Sequence, residues 1–206
     1  MKKAVIYVHG KGGNAGEALH YAPLFPDFDV IGFDYSADTP WEAKSEFTRF
    51  FDSVRQNHSA VVLIANSIGA YFAMSALDGT AAEKAYFISP VVDMERLILD
   101  MMRLAGVSER ELFERQTVET AFGETLSWEY LRFVRENPVR WRVPTHILCG
   151  GADALVPFDS VSAFASGIGA TLDVMSGGEH WFHTPEQMAF LDAWIRKYEQ
   201  EDLGES

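Results

Sequence analysis

Ala60-Val61-Val62-Leu63-Ile64-Ala65-Asn66-Ser67-Ile68-Gly69-Ala70 joins an uninterrupted apolar run to a segment rich in small residues, with a serine at the junction. A continuous apolar run of six residues is how a central parallel strand reads, because both faces of such a strand are buried. Ile68 to Leu77 then reads as a helix. A strand that turns sharply into a helix would lift Ser67 clear of the sheet. Such a turn accepts only small neighbours two residues to either side, here Ala65 and Gly69. The helix amino end would also set backbone N–H groups and a positive dipole beside the hydroxyl. A serine at a helix start can equally be a plain cap. The flanking strand and helix favour the chemical reading.

The same alternation continues outward. Ala4 to Val8, Val30 to Phe33, Ala85 to Ile88, Thr145 to Cys149 and Thr171 to Met175 read as further short strands, most of them ended by glycine or proline. Thr39-Pro40 opens a helix with a cap and a proline in the first turn, and Phe47, Phe50, Phe51 and Val54 follow at helical spacing. Pro157 begins another helix to about Ile168, and Thr184-Pro185 begins a last one to about Glu199. The expectation is an α/β fold, a mostly parallel sheet of about six strands with helices on both faces. From Val91 to about Val143 no strand is evident. Met94 to Ala105 and Ser127 to Glu136 read as helices, and Ser108 with Glu111 as a capping box. We expect one domain over residues 1–206, with a helical cap inserted at about 91–143.

Composition bounds the function. At 206 residues, 48% hydrophobic and 23% charged, the chain suits one ordinary globular domain. A net charge of −13 opposes nucleic acid. No apolar run nears the roughly 20 residues of a membrane span, and no stable membrane association is expected. Met1-Lys2-Lys3 begins as a signal peptide does, but Ala4 to Val8 is too short for its apolar core and runs into His9-Gly10. Cys149 is the single cysteine, so no internal disulfide forms and a cytoplasmic setting is expected. Zinc spacings and Ca²⁺-loop patterns are lacking, so neither metal nor cofactor is expected. The polar end, Glu199 to Ser206, is expected to fray.

Three further strand ends carry chemistry. His9-Gly10-Lys11-Gly12-Gly13 follows the first strand and lets backbone approach a bound group closely. It lacks the Lys-Ser/Thr of a phosphate loop. An oxyanion needs two preorganised N–H donors, for which Ile68 and Lys11 are the candidates. Gly150-Gly151-Ala152-Asp153 places a carboxylate in a turn after the fifth strand, where it could orient an imidazole or serve only the turn. Gly177-Gly178-Glu179-His180-Trp181-Phe182-His183 supplies two histidines after the sixth; His180, just past the glycine turn, is favoured over His183.

The chain order Ser, Asp, His, with His-Gly-x-Gly after a strand, the serine elbow, Gly-x-x-Asp-x-x-Val-Pro and Gly-x-x-His, resembles the α/β-hydrolase superfamily across nearly the whole chain. That resemblance implies Ser67, Asp153 and His180 as a triad, Lys11 and Ile68 as oxyanion donors, and a helical cap after the strand ending near Ile88. The elbow opens with Ala65 where glycine is commoner, and the short chain implies that the superfamily's first two strands are missing. Some members carry the acid after the strand that here ends at Ile88, which makes Asp93 the rival of Asp153. The activity implied is hydrolysis of a small carboxylic ester or thioester. A C–C bond hydrolase, an amidase or a silent ligand-binding homologue are the alternatives. Trp128, Trp181, Met101, Met102, Phe113, Phe122, Tyr130, Phe133 and Phe182 are candidates for a substrate pocket, or simply for packing.

Overall fold

The computed structural model describes residues 1–77, 79 and 81–204. It divides into two compact units, residues 1–92 with 140–206, and residues 93–139.

The first unit is built on a six-stranded sheet. Its strands are β1 (Lys3–Val8), β2 (Phe28–Phe33), β3 (Val61–Asn66), β4 (Lys84–Ile88) and, beyond the second unit, β7 (Thr145–Gly150) and β8 (Thr171–Met175). Their order is β2-β1-β3-β4-β7-β8, and every pairing is parallel. The chain runs outward from β1 to β2 and then crosses back to β3, so the topological switch lies between β1 and β3. Ligands of open parallel sheets bind at the carboxyl ends there.

Both faces of the sheet are covered, as the apolar runs require. Alternate side chains Val5, Tyr7, Val62, Ile64, Tyr86, Ile88 and Leu148 pack with a 3-10 helix (Ala15–Leu24) and with Leu191, Trp194, Ile195 and Tyr198 of the last helix. The intervening residues, Ile6, Val8, Leu63, Ala65, Phe87 and Ile147, are fully buried as well. Helices α1 (Pro40–Arg55) and α2 (Ile68–Ala76) pack together, α2 against β1 and β3. Thr39 caps α1, as its sequence predicts, and the structure adds the reciprocal bond to Glu42; such a cap contributes about 1 kcal/mol.

The second unit holds α3 (Met94–Ala105), α4 (Glu109–Arg115), β5 (Thr117–Glu119), β6 (Thr125–Ser127) and α5 (Trp128–Glu136). Arg135 of α5 joins its helices: its guanidinium donates to Glu95 at 2.6 Å and to both oxygens of Glu109 at 2.8 Å. Two expectations are corrected here. Strands β5 and β6 form an antiparallel hairpin where none was foreseen. Three residues are too few for alternation to register, although Gly123, at φ +86, marks the bend. Ser108 caps α4 through the N–H of Glu111, but the Glu111 carboxylate takes Arg115 at 2.8 Å instead of closing the box.

In the first unit, α6 (Phe158–Ile168) precedes β8, and α7 (Pro185–Gly204) closes the fold. The polar end is not frayed where it is described. Glu199 accepts from Tyr86 at 2.7 Å and pairs with Lys84 at 2.6 Å, which holds α7 to β4. Residues 205 and 206 lie outside the described residues. Among the described residues no helix is long and apolar enough to cross a membrane.

Candidate active site

Ser67 sits between β3 and α2 at φ 50° and ψ −122°, a backbone conformation that costs a non-glycine residue about 1–3 kcal/mol. Its surroundings offset that cost. The Ser67 N–H donates to the Ile88 carbonyl at 3.0 Å, and the Ser67 carbonyl accepts from Ala70 at 3.2 Å and from Val91 at 3.1 Å. The side chain makes no capping bond, so the hydroxyl is not spent on the helix. Gly69 has no alternative: a Cβ there would lie 2.3 Å from the His9 carbonyl oxygen. The β1 loop therefore lies directly against the elbow.

His180 and Asp153 reach the serine from the ends of β8 and β7. His180 Nε2 is 2.8 Å from Ser67 Oγ, and His180 Nδ1 is 2.7 Å from Asp153 Oδ2. A carboxylate can only accept, so Nδ1 carries the ring proton and Nε2 is left to accept from the serine hydroxyl. Asp153 Oδ1 accepts the N–H groups of Leu155 at 2.8 Å and Val156 at 3.1 Å. The Asp153 side chain is only 5% exposed. Burial alone would raise its pKa. The His180 ring and the two backbone N–H groups outweigh burial and hold the carboxyl below its ordinary value.

The two loops that carry these residues are laced together. The Gly151 N–H donates to Met175 and the Ala152 N–H to Gly178, both at 2.8 Å. A Cβ on Gly150 would lie 2.3 Å from the Gly178 carbonyl oxygen and 2.5 Å from that of Glu179. The glycines that mark turns in the sequence are thus also the contact that sets Asp153 beside His180.

The candidate oxyanion donors are placed by the elbow and the β1 loop. Ile68 is the first residue of α2, where helix geometry provides no partner for its N–H inside the helix. Lys11 lies in a tight turn closed by the Gly13 N–H on the Gly10 carbonyl at 3.1 Å. A Cβ on Gly10 would fall 3.2 Å from Ser67 Cβ, which puts the start of that turn beside the serine. Tyr35 holds the loop from the side, donating to the His9 carbonyl at 2.8 Å while its ring stacks on His9.

Other candidates take other places. His183 stacks on Trp181, and its Nδ1 lies 2.7 Å from the Trp181 carbonyl oxygen, so it is bound within its own loop. Asp93 caps α3, accepting from the Arg96 N–H at 3.0 Å. Trp181 is 66% exposed next to His180, whereas Phe182 is buried in the core and is packing. Trp128 packs edge-on against Phe113 within the second unit. The β1 loop has one feature that sequence reading missed: Glu17, whose carboxylate lies against Gly13 and bonds to Tyr7. Only the polar Glu17 three residues after Asn14 at a helix start hinted at it.

No protein-family model and no curated protein matches this sequence. Solved structures do match it in shape. Mouse alpha/beta hydrolase domain-containing protein 10 superposes with a TM-score of 0.77 at 15% identity, over 96% of this chain and 90% of that one. Est1E from Butyrivibrio proteoclasticus gives 0.72 at 15% identity, over 98% and 88%. The peroxisomal alpha-beta-hydrolase Lpx1 of Saccharomyces cerevisiae gives 0.64 at 14% identity, over 99% and 78%.

Proposed function

The chain has the α/β-hydrolase fold, and on that premise we propose that it is a serine hydrolase that cleaves a small carboxylic ester through an acyl-enzyme. The observation that carries this reading is the continuous hydrogen-bonded path from Ser67 Oγ through His180 to Asp153, at 2.8 Å and 2.7 Å.

In this mechanism the Ser67 oxygen attacks the ester carbonyl carbon as its proton passes to His180 Nε2. The carbonyl electron pair moves onto oxygen, where the N–H groups of Ile68 and Lys11 receive it. Losing one such donor typically costs about 3 kcal/mol. Asp153 stays ionised and stabilises the imidazolium. Collapse of the tetrahedral intermediate breaks the bond to the alcohol, which leaves with the proton from His180. Water then attacks the acyl-serine, again deprotonated by His180. The acid departs, and the proton returns to Ser67 Oγ. The chemistry uses no metal or cofactor. A thioester fits the same steps, with a thiol as leaving group.

Labelling with a fluorophosphonate tests the reading. The wild-type protein is expected to be modified at Ser67, and Ser67→Ala to remain unlabelled. A folded wild-type protein that stays unlabelled would leave a ligand-binding role for the fold.

A further inference from the structure

Beneath the β1 loop lies a polar chain that the mechanism above does not use. Asn66, the residue before Ser67, donates from Nδ2 to the Tyr7 hydroxyl at 2.9 Å. Tyr7 donates to Glu17 Oε2 at 2.5 Å. The other Glu17 oxygen accepts the N–H of Asn14 at 3.1 Å. The order of donors is fixed. The Tyr7 proton goes to a carboxylate that can only accept, so the Tyr7 oxygen is left to accept from the Asn66 amide. Burial, with Tyr21 and Glu17 nearby, pushes the Tyr7 phenol far above its ordinary value, so it remains a donor.

The Glu17 carboxylate is also a floor for the turn that carries Lys11. A Cβ on Gly13 would lie 2.9 Å from Glu17 Oε1 and 3.1 Å from Oε2. The Gly13 N–H closes the turn on Gly10. One carboxylate therefore abuts the closing residue of the turn, binds Asn14 just beyond it, and connects through Tyr7 to the residue that precedes the nucleophile. The chain joins two segments, from β1 and β3, that meet at the topological switch.

We propose that Glu17 is a positioning residue for the oxyanion-binding loop, tying Lys11 N–H to Ser67 through Tyr7 and Asn66 so that the two keep their spacing as charge develops. This rests on the serine-hydrolase reading. Preorganised donors act only if they are held where the oxyanion forms, and small displacements are expensive. A glutamine at this position loses the Asn14 bond if its N–H₂ faces that N–H, and keeps the bond only by turning its N–H₂ to the Tyr7 oxygen, which undoes the order of donors through Tyr7 and Asn66.

The test compares wild type, Glu17→Gln, Tyr7→Phe and the double variant. It reads kcat and KM on p-nitrophenyl acetate, affinity for phenylboronic acid as a tetrahedral adduct of the serine, and the thermal midpoint. For Glu17→Gln the expectation is a fall in kcat of about tenfold to a hundredfold. KM is expected to change little, and boronate affinity to fall in parallel with kcat. Tyr7→Phe should show the same signature, and the double variant should be no worse than the poorer single, because one path is being cut twice. A folded Glu17→Gln protein with wild-type kcat and boronate affinity would overturn the proposal alone. So would a loss confined to KM, or additive losses in the double variant. Should Glu17→Gln not fold, Tyr7→Phe decides by the same readouts. A wild-type protein that neither hydrolyses the ester nor binds the boronate would overturn both this proposal and the reading beneath it.

Discussion

Replacing Asp153 by asparagine should disable the site without disturbing the fold, because of how the two carboxylate oxygens are used. Oδ1 accepts two backbone N–H groups, from Leu155 and Val156, and Oδ2 accepts one, from His180. An asparagine keeps the two backbone bonds only by placing its carbonyl oxygen at the Oδ1 position. Its N–H₂ then faces His180 Nδ1 and can only donate. Nδ1 must become the acceptor, and the ring proton moves to Nε2, the atom 2.8 Å from Ser67 Oγ. A protonated Nε2 cannot receive the serine proton. A wrong tautomer of this kind costs a serine hydrolase about 10⁴-fold in kcat, or about 5.5 kcal/mol in activation free energy. The assay is kcat on p-nitrophenyl acetate, with circular dichroism and the thermal midpoint read on the same samples. Folded Asp153→Asn that keeps more than about a tenth of wild-type kcat would refute the tautomer argument. Asp93→Asn is the control. Asparagine caps a helix as well as aspartate, so α3 and turnover should both be preserved.

Three further outcomes follow from the site. Gly150→Ala should lower the thermal midpoint and kcat together, since its Cβ would meet two backbone carbonyl oxygens at 2.3 Å and 2.5 Å and must push the Asp153 and His180 loops apart; overpacking of this kind costs about 1–3 kcal/mol, read in a urea titration. Asp153 has a lower pKa folded than unfolded, so the native state binds fewer protons than the unfolded one in that window; its stability contribution is present above about pH 4 and is lost as pH falls through the folded value, an acid limb that urea titrations should find reduced in Asp153→Asn. Burial, with Asp153 nearby, pushes the Cys149 thiol up to about 12; iodoacetamide at mildly alkaline pH should label it in concentrated urea and spare it in the native protein, and its stability contribution should fade as pH rises from about 8.5 toward the folded value.

Much of the site was legible because its residues follow strands and are marked by punctuation. Ser67, Asp153 and His180 each come within five residues of a strand end and two residues from a glycine, and strand-end loops of a parallel sheet meet at one edge. The cap at Thr39 was readable for the same reason: the chemistry is complete within four residues. What escaped depends on contacts between distant segments. The Tyr7, Glu17 and Asn66 chain spans 59 positions between Tyr7 and Asn66, and no local pattern encodes it. Tyr7 reads as one more apolar strand residue. Gly150 reads as a turn glycine, though its tightest constraint is the carbonyl of Gly178 across the sheet edge. The hairpin at β5 and β6 is too short for periodicity, and of the two readings left open for Phe182, pocket or packing, it is the packing that holds.

Acid-quenched turnover of p-nitrophenyl acetate, analysed by intact-protein and peptide mass spectrometry, puts the account to its most direct trial. A single acetyl group on Ser67, building up within the mixing time and vanishing as ester is exhausted, is the predicted result. Turnover that proceeds with no acyl group on Ser67, or with the group on another side chain, would contradict it.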